Sequence, residues 1–454
     1  MKKLLPIYIL IFVLISIEIK AQDSKIKSWD YNINIEFKDT TLYINLHLKA
    51  FKTENWTKNF FLFNRYIKID KALLNNKPLN YIRSNDTLYF EHSNSDKINF
   101  FISYKIPCSL YESSKIIKIF GDSIFAYPAL LDSNQVFCER YSKFYPVIYD
   151  NFTNYKVKIT IPKTYEIYVE HKANEKILSK NNIISTYIFF DEDFRFFITK
   201  ANIFQSEKIV QNKETYCKFY FLPKDKRLLS IKNNTPKYIT DLNQIDSLYN
   251  VIANRSALAV KWYQTNLWYK NIDTLPFIET GIFGLAVNMR AFIIFDRSLM
   301  NMEAIDNYAL SHEIGHFWIG YNVKYLSKGF YFLSESINEY INLLFYESWA
   351  GNQAYENAIK DKINLRFSNK PFFTVSFEQV LNQKNGDLNF ELIYNKGVVF
   401  AYEFCKLIGK EKFLKIIRET YQKTDNYITL TDFENSIKKN GCLKEYLQLY
   451  EMKL

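Results

Sequence analysis

The spacing of apolar residues changes once along this chain, near residue 235, and that change constrains its architecture more than any other feature. Between Gln22 and about Tyr220 the apolar residues recur at every second position. Tyr31, Ile33, Ile35 and Phe37 alternate with polar neighbours, and Leu42, Ile44, Leu46 and Leu48 do so again after a turn at Asp39-Thr40. Such alternation puts one side of each strand on a core and the other in water, the habit of antiparallel sheets. Ile98–Ile106, Tyr155–Ile161, Ile184–Phe190, Phe194–Thr199 and Cys217–Leu222 read as further strands, rich in β-branched and aromatic residues. Of 11 glycines only Gly121 precedes residue 280, which leaves Asn and Asp to make the turns.

After Pro236 the period becomes helical. Leu242, Ile245, Leu248, Val251 and Ile252 mark a helix within Ile239–Trp268. Further helices are expected over Glu303–Gly320, Leu333–Trp349, Leu392–Ile408, Glu411–Gln422 and Thr431–Lys439, the last with Thr431 and Glu434 as a capping box. Phe277–Phe295 reads as strand, with Ala291–Phe295 its apolar end. The expected fold class is α+β, with a β-rich domain over 22–234 and a mainly helical domain over 235–454. Each half is long enough to bury its own core.

Residues 1–21 read as a signal peptide. Lys2 and Lys3 precede an apolar run from Leu4 to Ile17, broken only by Pro6, and cleavage is expected after Ala21. Export follows as an expectation: periplasmic, secreted or cell-surface. The run is shorter than the roughly 20 residues that cross a bilayer, so no stable membrane span is expected after cleavage. The chain is 48% hydrophobic and 24% charged, which excludes a disordered tail and a multi-span membrane protein. Its net charge of +11 comes with acidic residues interspersed almost everywhere, so a solvated surface is expected and not a nucleic-acid partner. The five cysteines form no Cys-x-x-Cys pair, which argues against a thiolate metal site; Cys108 with Cys138 is the most local pairing.

One constellation carries chemistry. Ser311-His312-Glu313-Ile314-Gly315-His316 contains His-Glu-x-x-His. Residues four apart share a helix face, so both imidazoles can reach one ion, with Glu313 beside it as base for an attacking water. A catalytic zinc needs a third ligand and a vacant position. Glu335 supplies a carboxylate at the start of the next helix, with eighteen residues between it and His316. One zinc per chain is expected. Glu339, on the same face as Glu335, is either a hydrogen-bond partner of a ligand histidine or a solvated helix residue.

These residues resemble the gluzincin metallopeptidases of the aminopeptidase N type. That family places its glutamate ligand 18 residues after His-Glu-x-x-His, in a Trp-Leu-Asn-Glu-Gly-Phe-Ala-x-Tyr context of which Leu333, Glu335 and Tyr340 are kept. Tyr394-Asn395-Lys396-Gly397 matches its downstream Tyr-x-Lys-Gly. The resemblance implies a saddle-like β-domain followed by a thermolysin-like catalytic domain. It implies zinc on His312, His316 and Glu335, Glu313 as base, and Tyr394 as stabiliser of the oxyanion. The substrate would be a peptide or protein.

The family also carries a Gly-x-Met-Glu-Asn strand whose glutamate grips the substrate's free amine. Here Arg290 follows Met289 where that glutamate is expected, and a cation repels an α-amine. Glu279 is the nearby carboxylate, poorly placed by its spacing. The chain reaches Leu454 soon after the catalytic region, so the long helical C-terminal domain of many relatives is not expected and a more open cleft is. The strand around Ala291–Phe295 is expected to bind substrate backbone by edge addition. The leading expectation is an exported zinc peptidase, aminopeptidase or endopeptidase. The alternatives are a catalytically inactive peptide- or partner-binding protein on the same fold and, more weakly, a structural zinc site.

Overall fold

The computed structural model describes residues 26–52, 58–63, 67–84, 87–91, 97–107, 129–132, 135–138, 144–146, 153–190, 194–204, 206–212, 215–222, 227–232, 235–239, 241–280, 286–296, 308–324, 327–364, 375–383, 391–422 and 427–452. The expected signal peptide and Cys108 lie outside them. The chain divides into two compact units, Met1–Ala201 and Asn202–Leu454. No helix among the described residues is long and apolar enough to cross a membrane.

The first unit is built on an eight-stranded sheet. At its centre Ile26–Lys38 pairs with Thr41–Lys52, setting Ile33 opposite Leu46 and Ile35 opposite Ile44. All four side chains are buried on one face, as the alternation requires. Asp39 and Thr40 both take positive φ, 48° and 57°, and Asn75 and Asn76 repeat this at 50° and 65°. Two such residues match the twist of a tight hairpin; Asp39, Asn75 and Asn76 tolerate that region in place of the scarce glycine, and Thr40, β-branched, is strained in it. The pairings are antiparallel except for Ile26–Lys38 against Thr153–Pro162. Four- and three-stranded sheets complete the unit's described strands.

The second unit opens with a five-stranded sheet in the spatial order Ser206–Asn212, Thr215–Phe221, Thr274–Thr280, Ile293–Asp296, Ala286–Asn288. Thr215–Phe221 runs parallel to Thr274–Thr280. A parallel pair needs a long crossover, and helix α1 (Leu242–Asn266) lies within it. Ser206–Asn212 and Thr215–Phe221 are thereby tied to the helical unit. The unit division stands at residues 201 and 202, ahead of the change of period at 235. Period reveals what a segment is and not which segment it pairs with. Ile293–Asp296 is flanked by strands on both sides, so the expected edge at Ala291–Phe295 is corrected: the edge on that side is Ala286–Asn288.

The remaining helices among the described residues are α2 (Tyr308–Gly315), α3 (Ile337–Ala350), α4 (Asn352–Asn364), α5 (Phe377–Leu381), α6 (Gly397–Ile408), α7 (Lys410–Tyr421), α8 (Leu430–Lys439) and α9 (Leu443–Glu451). Two π-helical turns, Phe332–Ser336 and Leu392–Lys396, lead directly into α3 and α6. The capping box of α8 lies at Thr429 with Asp432, not at Thr431 with Glu434. Helices α4, α5 and α9 escape the sequence pattern, α4 because it buries little beyond Tyr355 and Ile359. Ile314, Phe317 and Trp318 are buried in one core with Tyr263, Leu333, Ile337 and Phe400. Cys217, Cys405 and Cys442 are free buried thiols.

Candidate active site

Helix α2 and the turn after it bring His312 and His316 together. The His316 amide donates to the His312 carbonyl, so helical spacing persists past Gly315 and the ring centroids lie 4.8 Å apart. The helix is seated by its neighbours. Asn338 on α3 donates to the His312 carbonyl at 2.8 Å, and a Cβ at Gly315 would meet Asn338 Oδ1 at 2.2 Å and Tyr263 Oη at 2.6 Å. Only glycine lets α1, α2 and α3 approach this closely.

Glu335 rises from the first π-turn. Its Oε2 lies 3.3 Å from His312 Nε2 and 3.5 Å from His316 Nε2. Tyr394 rises from the second π-turn and donates its hydroxyl to that same oxygen at 2.8 Å. Four of the five sequence-selected residues therefore converge on one point. The fifth, Glu313, has a ligand atom within 4.8 Å of those of both histidines. Its Oε2 accepts the Asn288 amide at 2.8 Å, and Asn288 Nδ2 donates to the Glu313 carbonyl at 2.5 Å.

The outer nitrogens of both imidazoles are committed. His312 Nδ1 meets Glu339 Oε2 at 2.8 Å, and His316 Nδ1 meets the Ile319 carbonyl at 3.0 Å. An acceptor at Nδ1 fixes a proton there, so that a ring which gives up its Nε2 proton turns the Nε2 lone pair to the common point. Glu339 is thus the hydrogen-bond partner of a histidine and not a solvated helix residue. Burial works against its charge, yet Lys362, 2.6 Å from Oε1, and His312 outweigh that and hold it down to about 2. Burial likewise opposes a charged His312, but its bonds to Glu335 and Glu339 hold its proton up to about 10. Burial raises Glu313, partly offset by the two imidazoles. Burial and Glu335 hold Tyr394 well above the usual phenol range, so it remains a donor.

Lys362, on α4, was not legible in the sequence, where nothing separates it from the other cations. Removing Lys362 takes away one of the two cationic partners that offset the buried Glu339 charge. Lys362→Met is expected to destabilise the metal-free protein by about 3 kcal/mol. For a unit of this size that lowers the thermal midpoint by roughly 6–12 °C, readable by calorimetry.

Asn288, Tyr321 and Arg290 form a second group that sequence reasoning placed only in part. The Tyr321 hydroxyl bonds the Asn288 carbonyl and its Oδ1, and the Tyr321 ring lies 6.0 Å from His316. Arg290 has a positive φ of 57°, with its amide donated to Asn288 Oδ1 at 2.7 Å. Its guanidinium lies 5.0 Å from the Tyr321 ring centroid. Glu279 is fully buried, with Oε2 on the Leu222 amide at 2.6 Å, so it does not reach this surface.

The donor set fits zinc. Tetrahedral bonds of about 2.0–2.1 Å put ligand atoms roughly 3.3 Å apart, close to the 3.3 and 3.5 Å from Glu335 to the two nitrogens. Two imidazoles and one carboxylate leave a fourth position, the pattern of a catalytic site.

The fold, compared with solved structures, has known counterparts. The chain resembles an M1 zinc metallopeptidase from Deinococcus radiodurans at a TM-score of 0.58 and 10% identity, over 94% of this chain and 93% of that one. A variant of that enzyme bound to a Tyr-Ser-Ala substrate matches at 0.56 and 10% over the same shares. Legionella pneumophila aminopeptidase A in complex with aspartic acid matches at 0.64 and 14%, over 94% of this chain and 49% of that one. No protein-family model and no curated protein matches the sequence. The fold is that of the M1 zinc metallopeptidases: antiparallel β-sheets first, a helical region after.

Proposed function

We propose that the chain is an exported zinc-dependent peptidase that hydrolyses peptide bonds without a dedicated anchor for the substrate's free amine. The observation that carries this reading is the single oxygen of Glu335 shared by both imidazoles and Tyr394. His312, His316 and Glu335 would hold one zinc per chain. When bound there, zinc polarises the scissile carbonyl and lowers the pKa of the attacking water.

The rest is the work of this chain's own side chains. Asn288 holds Glu313 Oε2, which leaves Oε1 to take the proton of the attacking water and pass it to the leaving amine. The hydroxyl of Tyr394, kept protonated by burial, donates to the oxyanion. Glu339 and the Ile319 carbonyl keep both rings turned inward. Export rests on the basic and apolar pattern of residues 1–21.

The amine end of the substrate decides between aminopeptidase and endopeptidase. By the resemblance Arg290 follows Met289 where the amine-binding glutamate is expected; its guanidinium lies against the Tyr321 ring, and Glu279 is buried. N-acetylated peptides should be cleaved within about threefold of the rate of free-amine peptides, because a cation neighbouring the cleft gains nothing from an α-ammonium. Digestion of a peptide library with mapping of the new termini checks this. Internal cuts are expected; turnover confined to unblocked N-termini would overturn it. Zinc retained with no peptide cleaved would favour the inactive binding protein instead.

A further inference from the structure

Two of the side chains at this site rise from π-turns, and each turn releases one backbone carbonyl from its helical donor. In the first turn the Ile337 amide bonds the Phe332 carbonyl, five residues back. An α-helix would send it four back, to Leu333. The Leu333 carbonyl instead accepts the hydroxyl of Tyr421, on α7, at 2.7 Å in a buried setting. The second turn repeats the arrangement. The Gly397 amide bonds the Leu392 carbonyl, which releases Ile393. The Ile393 carbonyl accepts the hydroxyl of Ser336 at 2.6 Å, again buried.

A buried carbonyl without a donor costs free energy, so each hydroxyl favours the π-turn over the α-turn. The difference matters because one residue corresponds to about 100° of rotation around a helix. Collapse of the first turn to α would swing Glu335 away from the imidazoles. Collapse of the second would swing Tyr394 away from Glu335. The two turns also touch: a Cβ on Gly397 would lie 2.1 Å from Ser336 Oγ, so this close approach requires glycine there.

We propose that Tyr421 and Ser336 are positioning residues, whose hydroxyls hold open the two π-turns that aim Glu335 and Tyr394 at a common point. The kinetic part of the proposal rests on the peptidase reading; the metal and stability parts do not.

The test uses the full chain, with Tyr421→Phe and Ser336→Ala, and zinc alone as the probe. Circular dichroism confirms folding. Tyr421→Phe is expected to weaken zinc binding by about tenfold, the scale for losing a group that orients a ligand. Wild-type zinc affinity in a folded Tyr421→Phe protein would overturn that half. Ser336→Ala should keep zinc affinity and KM while kcat falls by about tenfold. In a Tyr394→Phe background it should cost nothing further, since it acts through that tyrosine. An equal loss in both backgrounds would overturn this half. The same cycle read in thermal midpoints decides Ser336 without activity: non-additive shifts are expected, and additive ones refute the coupling. Gly397→Ala, whose methyl displaces the Ser336 hydroxyl, should reproduce the kcat loss. If the wild type binds zinc and cleaves nothing, the peptidase reading falls while the zinc and midpoint arms still decide.

Discussion

Glu313→Gln is expected to lower peptide hydrolysis by more than roughly 100-fold and to leave the fold and the zinc content unchanged. The substitution is nearly isosteric. Glutamine keeps a carbonyl oxygen that can accept the Asn288 amide, now on Glu313 Oε2 at 2.8 Å. The Asn288 side chain bonds the backbone at this position, and that bond is indifferent to the exchange. What disappears is a group able to take and return a proton. Steady-state kinetics on a peptide identified by library digestion, with metal analysis of the same sample, checks both halves. Substantial turnover with zinc in place would remove Glu313 from the role of base.

Glu335→Ala has the second large effect expected here. It removes the oxygen on which both Nε2 atoms and the Tyr394 hydroxyl converge. Zinc affinity should fall by more than the roughly 10–100-fold that loss of an outer partner costs, and hydrolysis should fall with it. Competition against a chromophoric chelator reads the affinity. In the intact protein the same titration has a pH signature. Without metal, His312 holds its proton up to about 10. Zinc needs the neutral ring, so the proton competes, and affinity should drop about tenfold for each unit of pH below that value. A zinc affinity flat between about pH 6 and 8 would show that no proton on His312 competes with the metal in that range.

The paired histidines were legible because helix geometry is local: residues four apart face one way whatever surrounds them. Glu335 was reached as the carboxylate that opens the next helix and Tyr394 by resemblance of a short motif, and the structure brings both to the histidines. The edge strand was misplaced for a different reason. Apolar residues at Ile293, Ile294 and Phe295 say that a strand is buried, and both an inner and an edge strand can satisfy that. Lys362 and Tyr421 carry no local mark. Each lies on a helix whose own sequence has no reason to favour contact with the site.

The sequence by itself determined the alternating strands of the first unit, the helical character of the second, and a candidate metal-binding pair with a carboxylate beside it. These follow from the periods of strand and helix, which depend only on neighbours along the chain. The tertiary structure decided the rest. It allotted Ser206–Asn212 and Thr215–Phe221 to the second unit by pairing Thr215–Phe221 with Thr274–Thr280. It closed the Lys362–Glu339–His312 chain of contacts. It also inserted a residue into each of two helices so that Glu335 and Tyr394 meet. An insertion of that kind leaves the apolar pattern nearly unchanged while rotating a side chain by about 100°, so only the packing of whole helices reveals it.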